Sequence, residues 1–179
     1  MASKGAHTLV EALVNLKEQG VEIQGHLAGD TFQAGYREKL EEILRMSGLD
    51  EVRFTGQLNK SSLARFFRLH HICVFPSIHP EAFGIVAAEM MASGLAVVSS
   101  RVGGAGELVQ HESTGLAFTP GNTQELVGCL ARLAKDSELI SRLSGEGRQQ
   151  VEQKFSVLRA AQLLELGFIQ DLEKTVEIF

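Results

Sequence analysis

Apolar positions in this chain follow two periods, and their alternation outlines the fold. Leu9, Leu13 and Leu16 share one helical face with Val10 and Val14 beside it, so a helix follows the opening Met1-Ala-Ser-Lys-Gly5. Val21-Glu-Ile-Gln-Gly-His-Leu27 switches to strict alternation and predicts a strand ending at Ala28-Gly29-Asp30. Helical spacing returns from about Tyr36 to Met46, with Leu40, Ile43 and Leu44 apolar and Ser47-Gly48 as the stop. Val52 to Gly56 is a short strand whose exit is Gln57-Leu58-Asn59, and Ser61 or Ser62 is placed to cap a helix carrying Leu63, Phe66 and Phe67.

Ile72-Cys-Val-Phe75 and Leu95-Ala-Val-Val-Ser-Ser100 are short continuous β-branched runs, as expected of central parallel strands covered by helices on both faces. A helix from Phe83 to Ser93 lies between them. Gly115 to Phe118 is a last strand, and Asn122-Thr-Gln-Glu125 is a capping box opening a helix to about Ala134. Helices over Ser137 to Lys154 and Val157 to Val176 close the chain. Strands alternating with helices predict a doubly wound, Rossmann-like α/β parallel sheet in one domain of 179 residues, with its core over 4–135.

Charge and composition narrow the partners. A net charge of −5 supplies no basic field for nucleic acid, and no apolar run approaches the ~18 residues that span a bilayer. With no signal-like start, the expected location is cytoplasmic, or the cytoplasmic membrane face for a longer protein. Cys73 and Cys129 have neither paired spacing nor metal-ligand company and read as buried small hydrophobes.

Candidate chemistry centres on His79-Pro-Glu-Ala-Phe-Gly-Ile-Val-Ala-Ala-Glu89, at the carboxyl end of a buried strand where open α/β sheets bind ligands. Glu81 and Glu89 are eight positions apart, which at helical rise is ~12 Å with a rotation of ~80°. Paired acid and nucleophile carboxylates stand ~5–9 Å apart. Two acceptors along one polyhydroxyl ligand fit this spacing better, and Glu89, on an otherwise apolar helix, needs a partner. The helix start at Phe83-Gly84-Ile85 offers unpaired amides to a phosphate or sugar hydroxyl.

Lys4, at the amino end of the first helix, hints at an anion bound there, an exposed lysine in a frayed terminus being the plain alternative. Gly103-Gly-Ala-Gly106 lacks the spacing of a dinucleotide-binding loop and reads as a tight turn, so an oxidoreductase is not indicated. His70-His71 falls at a strand entrance, and His79 is at most a supporting residue. Asp30, Asp50, Asp136 and Asp171 are isolated, and no metal-ligand spacing is visible.

The order Lys4-Gly5, Leu27-Ala-Gly29-Asp30, Val52-Arg-Phe-Thr-Gly56, Val74-Phe-Pro-Ser77, Glu81 through Glu89, Gly94 and Val102-Gly-Gly-Ala-Gly-Glu107 resembles the carboxy-terminal, donor-binding domain of retaining GT-B glycosyltransferases (family 4-like, glycosyl transferases group 1). The likeness runs from Lys4 to about Ala161. It implies transfer of a sugar from a nucleoside-diphosphate donor with retention and without a metal or other cofactor. It also implies that Lys4 binds the diphosphate, Glu89 the ribose and Glu81 sugar hydroxyls. The amides of Phe83, Gly84 and Ile85, with Val86 next to them, would hold sugar and phosphate. Gln57 and Leu58 would border the base, with Gly29 at the donor edge. On this reading Glu81 and Lys4 are the catalytic candidates.

The chain departs from the pattern in two ways. The strand and Gly-Arg that precede Lys-Gly in the family have no counterpart, and Gly106 stands where proline is common. The resemblance therefore implies half of a GT-B fold, missing the acceptor-binding amino-terminal domain and the first central strand. The missing strand would neighbour those at Val21 and Ile72, and its gap would expose two edges that can template a dimer. Such a chain is expected to be inactive alone. Another GT-B enzyme type (a sugar-nucleotide epimerase or a phosphorylase) and a non-catalytic sugar-nucleotide-binding module are the alternatives. The donor base, the sugar and the acceptor are not encoded in these motifs.

Overall fold

A computed structural model describes residues 2–30, 33–156, 159 and 161. A turn of 3-10 helix, Ala2–Lys4, leads into α1 (Ala6–Glu18), β1 (Gly25–Ala28), α2 (Tyr36–Met46) and β2 (Val52–Gly56). Then follow α3 (Lys60–Phe67), β3 (Ile72–Phe75), α4 (Ile85–Ala92), β4 (Ala96–Ser99), α5 (Ala105–Leu108), β5 (Leu116–Ala117), α6 (Thr123–Lys135) and α7 (Ser137–Lys154). The last helix expected from the sequence, Val157 to Val176, lies outside the described residues.

The strands are parallel and form two sheets. β1 pairs with β2, with Gly25 opposite Val52 and Leu27 opposite Phe54. β3 pairs with β4 from Ile72 opposite Ala96 to Phe75 opposite Ser99, and β5 adds to the other side of β4. No ladder joins β1 to β3. A cavity of about 610 Å³ lies between them, lined by all four residues of each strand. The break falls where the missing central strand was expected.

Packing on the two faces follows the alternation of β4. Ala96 and Val98 point to a cluster with Ala12 and Leu16 of α1 and Leu126, Leu130 and Leu133 of α6. Val97 points to the opposite cluster, with Ala87 and Met91 of α4, Leu108 and Val151. A third cluster, Val10, Leu27, Leu40, Leu44, Leu49 and Val52, fastens α2 and the β1–β2 pair to α1. Leu9 and Leu13 of α1 touch both this cluster and the first. One helix thus carries the apolar contact across the break.

The expected elements are present, with shifts that have local causes. The predicted strand over Val21–Leu27 shrinks to Gly25–Ala28, because β2 offers a ladder only from Val52 onward and the other edge has no strand beside it. Val21 and Ile23 still pack on the core as irregular chain. β4 is buried throughout, as a central strand should be, whereas every residue of β3 is only half-buried because its outer edge faces the cavity. Cys73 on β3 is accordingly half-buried, although burial of its thiol pushes it up to about 12, and Cys129 is buried as expected.

The cap of α3 is neither Ser61 nor Ser62. Asn59 accepts the Ser62 amide at 2.9 Å, and Ser61 Oγ donates to the same Oδ1 at 2.8 Å. The predicted box at α6 forms, with Asn122 accepting the Glu125 amide at 3.2 Å, but the Glu125 carboxylate reaches the Thr119 amide at 2.6 Å. Replacing Asn59 by alanine is expected to lower unfolding free energy by about 1 kcal/mol in urea denaturation. Ser62→Ala is expected to change it by much less, and the reverse order would return the cap to the serine.

Candidate functional site

The carboxyl ends of the strands carry the expected group. After β3 the chain passes Pro76 and Ser77, turns through Glu81, and enters α4 at Gly84, an N-cap with φ 81°. Glu81 is held from both sides. Its Oε1 accepts Ser77 Oγ at 2.7 Å and is ion-paired with Lys4 Nζ. Lys4 arrives at the end of the 3-10 turn just ahead of α1.

Two backbone approaches fix that meeting. Ser3 O accepts the amides of Ile78 at 2.9 Å and His79 at 3.4 Å, so residues 2–5 lie across the loop after β3. Gly5, at φ 68°, sits so close that a Cβ there would fall 1.9 Å from Pro76 O. Any side chain at this position has to push Lys4 away from Glu81. On the other side, Glu81 O accepts the Gly104 amide at 2.9 Å, and a Cβ on Gly104 would lie 2.5 Å from Ala82 O.

Gly103-Gly104 is therefore more than a tight turn. It lets the loop after β4 lie against the backbone of the loop that carries Glu81. The sequence held a signal for this, two adjacent glycines after a buried strand, but not the identity of the chain they would meet. Ser100 strengthens the same joint, donating from Oγ to Ser77 O at 2.6 Å.

The remaining candidates are placed as follows. Phe83 is half-buried and its ring meets Phe155 at 5.5 Å, so it packs the loop onto the end of α7 while its amide stays in the chain entering α4. Gly84 O takes the amides of Ala87 at 2.8 Å and Ala88 at 3.2 Å, which leaves those of Phe83, Ile85 and Val86 ahead of the first internal bond. Ile85 and Val86 are 66% and 42% exposed, an apolar pair presented to solvent at the helix start. Gly29 follows β1 and donates to Gly56 O at 2.9 Å, which puts it beside the turn carrying Gln57 and Leu58. Lys4, Gly29 and Val86 border the inter-sheet cavity together, and Gln57 and Leu58 do not.

Glu89 departs from expectation. It is half-buried on α4, and its carboxylate makes no hydrogen bond or ion pair with the described residues. The apolar sequence around it overstated its burial, because α4 buries only Ala87 and Met91 completely. His70 lies away from this edge, bonded to His26, and His79 is exposed.

The electrostatics centre on Glu81. The Lys4 ammonium hydrogen-bonded to it holds its carboxyl below the usual range, helped by Ser77 and opposed by partial burial. Joined to α4's free amides, this is a small polar cluster able to exchange its internal pair for an anionic, hydroxyl-bearing ligand.

Comparison with known proteins identifies the lineage of this arrangement. The profile of the family described as Glycosyl transferases group 1 matches residues 2–150. The chain belongs to that family. The MMP alpha-(1->4)-mannosyltransferase of Mycolicibacterium hassiacum is 32% identical over 155 residues, covering 86% of this chain and 36% of that protein. Anabaena HepE, solved in complex with UDP, superposes with a TM-score of 0.85 at 28% identity, covering 95% of this chain and 46% of that one. The carboxy-terminal domain of a group 1 glycosyl transferase from Francisella tularensis shares the fold, with a TM-score of 0.80 at 24% identity and coverage of 88% and 82%. The chain spans less than half the length of the curated relatives it matches.

The lowered Glu81 carboxyl has a definite sign. A carboxylate whose folded pKa is depressed adds stability above its unfolded pKa and loses it as pH falls through the folded one. Glu81→Gln should therefore be less stable than wild type near neutral pH, by up to about 1 kcal/mol given the exposure of Lys4. The difference should vanish as acid titrates Glu81. In Lys4→Met, the Glu81 midpoint followed by NMR should move upward.

Proposed function

We propose that this chain is the donor-binding half of a retaining glycosyltransferase of hexosyltransferase type, which transfers a sugar from a nucleoside-diphosphate sugar to an acceptor. The observation that carries this reading is the convergence of Lys4, Glu81 and Ser77 beside the start of α4, at the carboxyl ends of parallel strands. That HepE was solved with UDP supports a nucleotide donor.

In this mechanism Lys4 leaves Glu81 when the donor enters and meets the diphosphate. The free amides at the start of α4 add their partial positive charge there. Negative charge grows on the diphosphate as the glycosidic bond breaks, so groups fixed around it lower the barrier without a metal or a carboxylate nucleophile. Glu81, released from Lys4 but still bonded by Ser77, accepts sugar hydroxyls and sets the sugar's orientation. Glu89, with its carboxylate unpaired, accepts the ribose hydroxyls, and Gln57 and Leu58 border the base. Acceptor binding belongs to a further domain.

Titrating the 179-residue chain with UDP and GDP, followed by calorimetry, tests the donor assignment. One of the two should bind, and Glu89→Ala should weaken it about 10- to 100-fold, the worth of a charged hydrogen bond. Affinity indifferent to Glu89→Ala would remove the ribose role. The chain alone is expected to release no sugar from a nucleotide sugar, and measurable turnover would show that the acceptor domain is dispensable.

A further inference from the structure

A second cation stands at the edge that carries Glu81. β4 ends at Ser99, and Arg101 follows it at the carboxyl end of the sheet. The loop it belongs to is the one bonded to the Glu81 loop, since Ser100 Oγ donates to Ser77 O at 2.6 Å and Gly103 pairs with Glu81. Lys4 borders the inter-sheet cavity on one side of β3, and β4 with Arg101 after it lies on the other. A cation-bearing segment thus reaches the Glu81 loop from each side, and of the two cations Lys4 is the one ion-paired with the carboxylate.

Arg101 has an uncommon backbone. Its φ is 56°, a left-handed value that a residue with a Cβ adopts at a cost. Glu112, at φ 65°, is the other such non-glycine residue among those described, and it is fastened by Arg132 at its carboxylate and Arg142 at its carbonyl. Arg101 is the reverse case. Its amide is fixed by the buried Ser99 Oγ at 3.0 Å, but its exposed guanidinium makes one long bond, 3.3 Å from Nη2 to Gly106 O, and pairs with no carboxylate among the described residues. Most of its fork of N–H donors is open to a bidentate anion. Glycine would make this turn without the cost, so the backbone alone gives no reason for the side chain.

We propose that Arg101 is a specificity-determining residue, which binds a carboxylate or phosphate carried by the substrate beside Glu81, so that either the sugar transferred or the molecule receiving it is anionic. The inference rests on the sugar-transfer reading above. There the diphosphate is met by Lys4 and the free amides of α4, which leaves Arg101 for a different negative group. A neutral hexose moving to a neutral acceptor offers this guanidinium nothing to pair with. A sugar bearing a carboxylate or a phosphate offers hydroxyls to Glu81 and an anion to Arg101, two contacts from loops already bonded to each other.

The test follows the Arg101 Nε–H signal by NMR in the 179-residue chain with isotope-labelled arginine. Glucose 6-phosphate or glucuronate, each joining an anion to sugar hydroxyls, should shift it saturably, and glucose should not. Arg101→Gln should weaken this binding about tenfold or more, the worth of a charged hydrogen bond, and Arg101→Lys should weaken it less. Arg101→Gly should remove the binding with a Tm at or above that of wild type, which separates recognition from folding. A lower Tm in Arg101→Gly, binding indifferent to Arg101→Gln, or inorganic phosphate binding as tightly as glucose 6-phosphate would overturn the proposal. So would a shift produced by UDP alone, which would make Arg101 a diphosphate ligand. Tighter binding of UDP-glucuronate than of UDP-glucose, lost in Arg101→Gln, places the charge on the donor sugar. Binding of glucose 6-phosphate to the UDP-loaded chain places it on the acceptor. If neither UDP nor GDP bound, the donor reading would fail, while the glucose 6-phosphate titration, which needs no nucleotide, would still decide the role of Arg101.

Discussion

The apolar stripe of α1 is the joint on which this domain depends. No ladder connects the β1–β2 pair to the β3–β4–β5 sheet. Val10 is buried with Leu27, Leu40 and Leu44 on one side of the break, while Ala12 and Leu16 are buried with Val98 and the leucines of α6 on the other. Each fully buried valine or leucine contributes roughly 1.5–3 kcal/mol. A few such side chains on one helix therefore do work that a central strand shares in an uninterrupted sheet.

The site inherits that dependence. Lys4 is delivered by the turn ahead of α1, and Glu81 by the loop after β3, so the ion pair between them measures how α1 is seated against the larger sheet. Gly5 makes the seating close, and Ser3 O ties it to Ile78 and His79. The Glu81 loop is backed in turn by Gly103-Gly104, and that contact rests on the β3–β4 ladder below it. Both sides of the polar cluster are thus held by backbone-to-backbone contact, which leaves little slack in the position of the carboxylate while Lys4, half exposed, is free to change partner.

Glu89 and the inter-sheet cavity mark where the domain is open. The Glu89 carboxylate is half in water and unpaired among the described residues, Ile85 and Val86 are exposed, and the facing edges of β1 and β3 line the cavity. Membership of a family whose curated representatives are more than twice as long fits that openness. Among the described residues no helix is long and apolar enough to cross a membrane.

The sequence by itself determined the succession of elements, because hydrophobic period and stop signals act over neighbours in the chain. Leu9, Leu13 and Leu16, the continuous run at Ala96 to Ser99, and the capping box at Asn122 were legible for that reason. Motif order was enough to point to Lys4, Glu81 and the start of α4. Only the tertiary structure decided what depends on distant partners. It put Asn59 rather than a serine at the cap of α3 and shortened β1 to the four residues that pair with β2. It also left Glu89 without a partner and turned Gly103-Gly104 into a backing for Glu81. It joined Lys4 to Glu81 across 77 positions, a contact no local period encodes, since it exists only where α1 and β3 are brought to one edge.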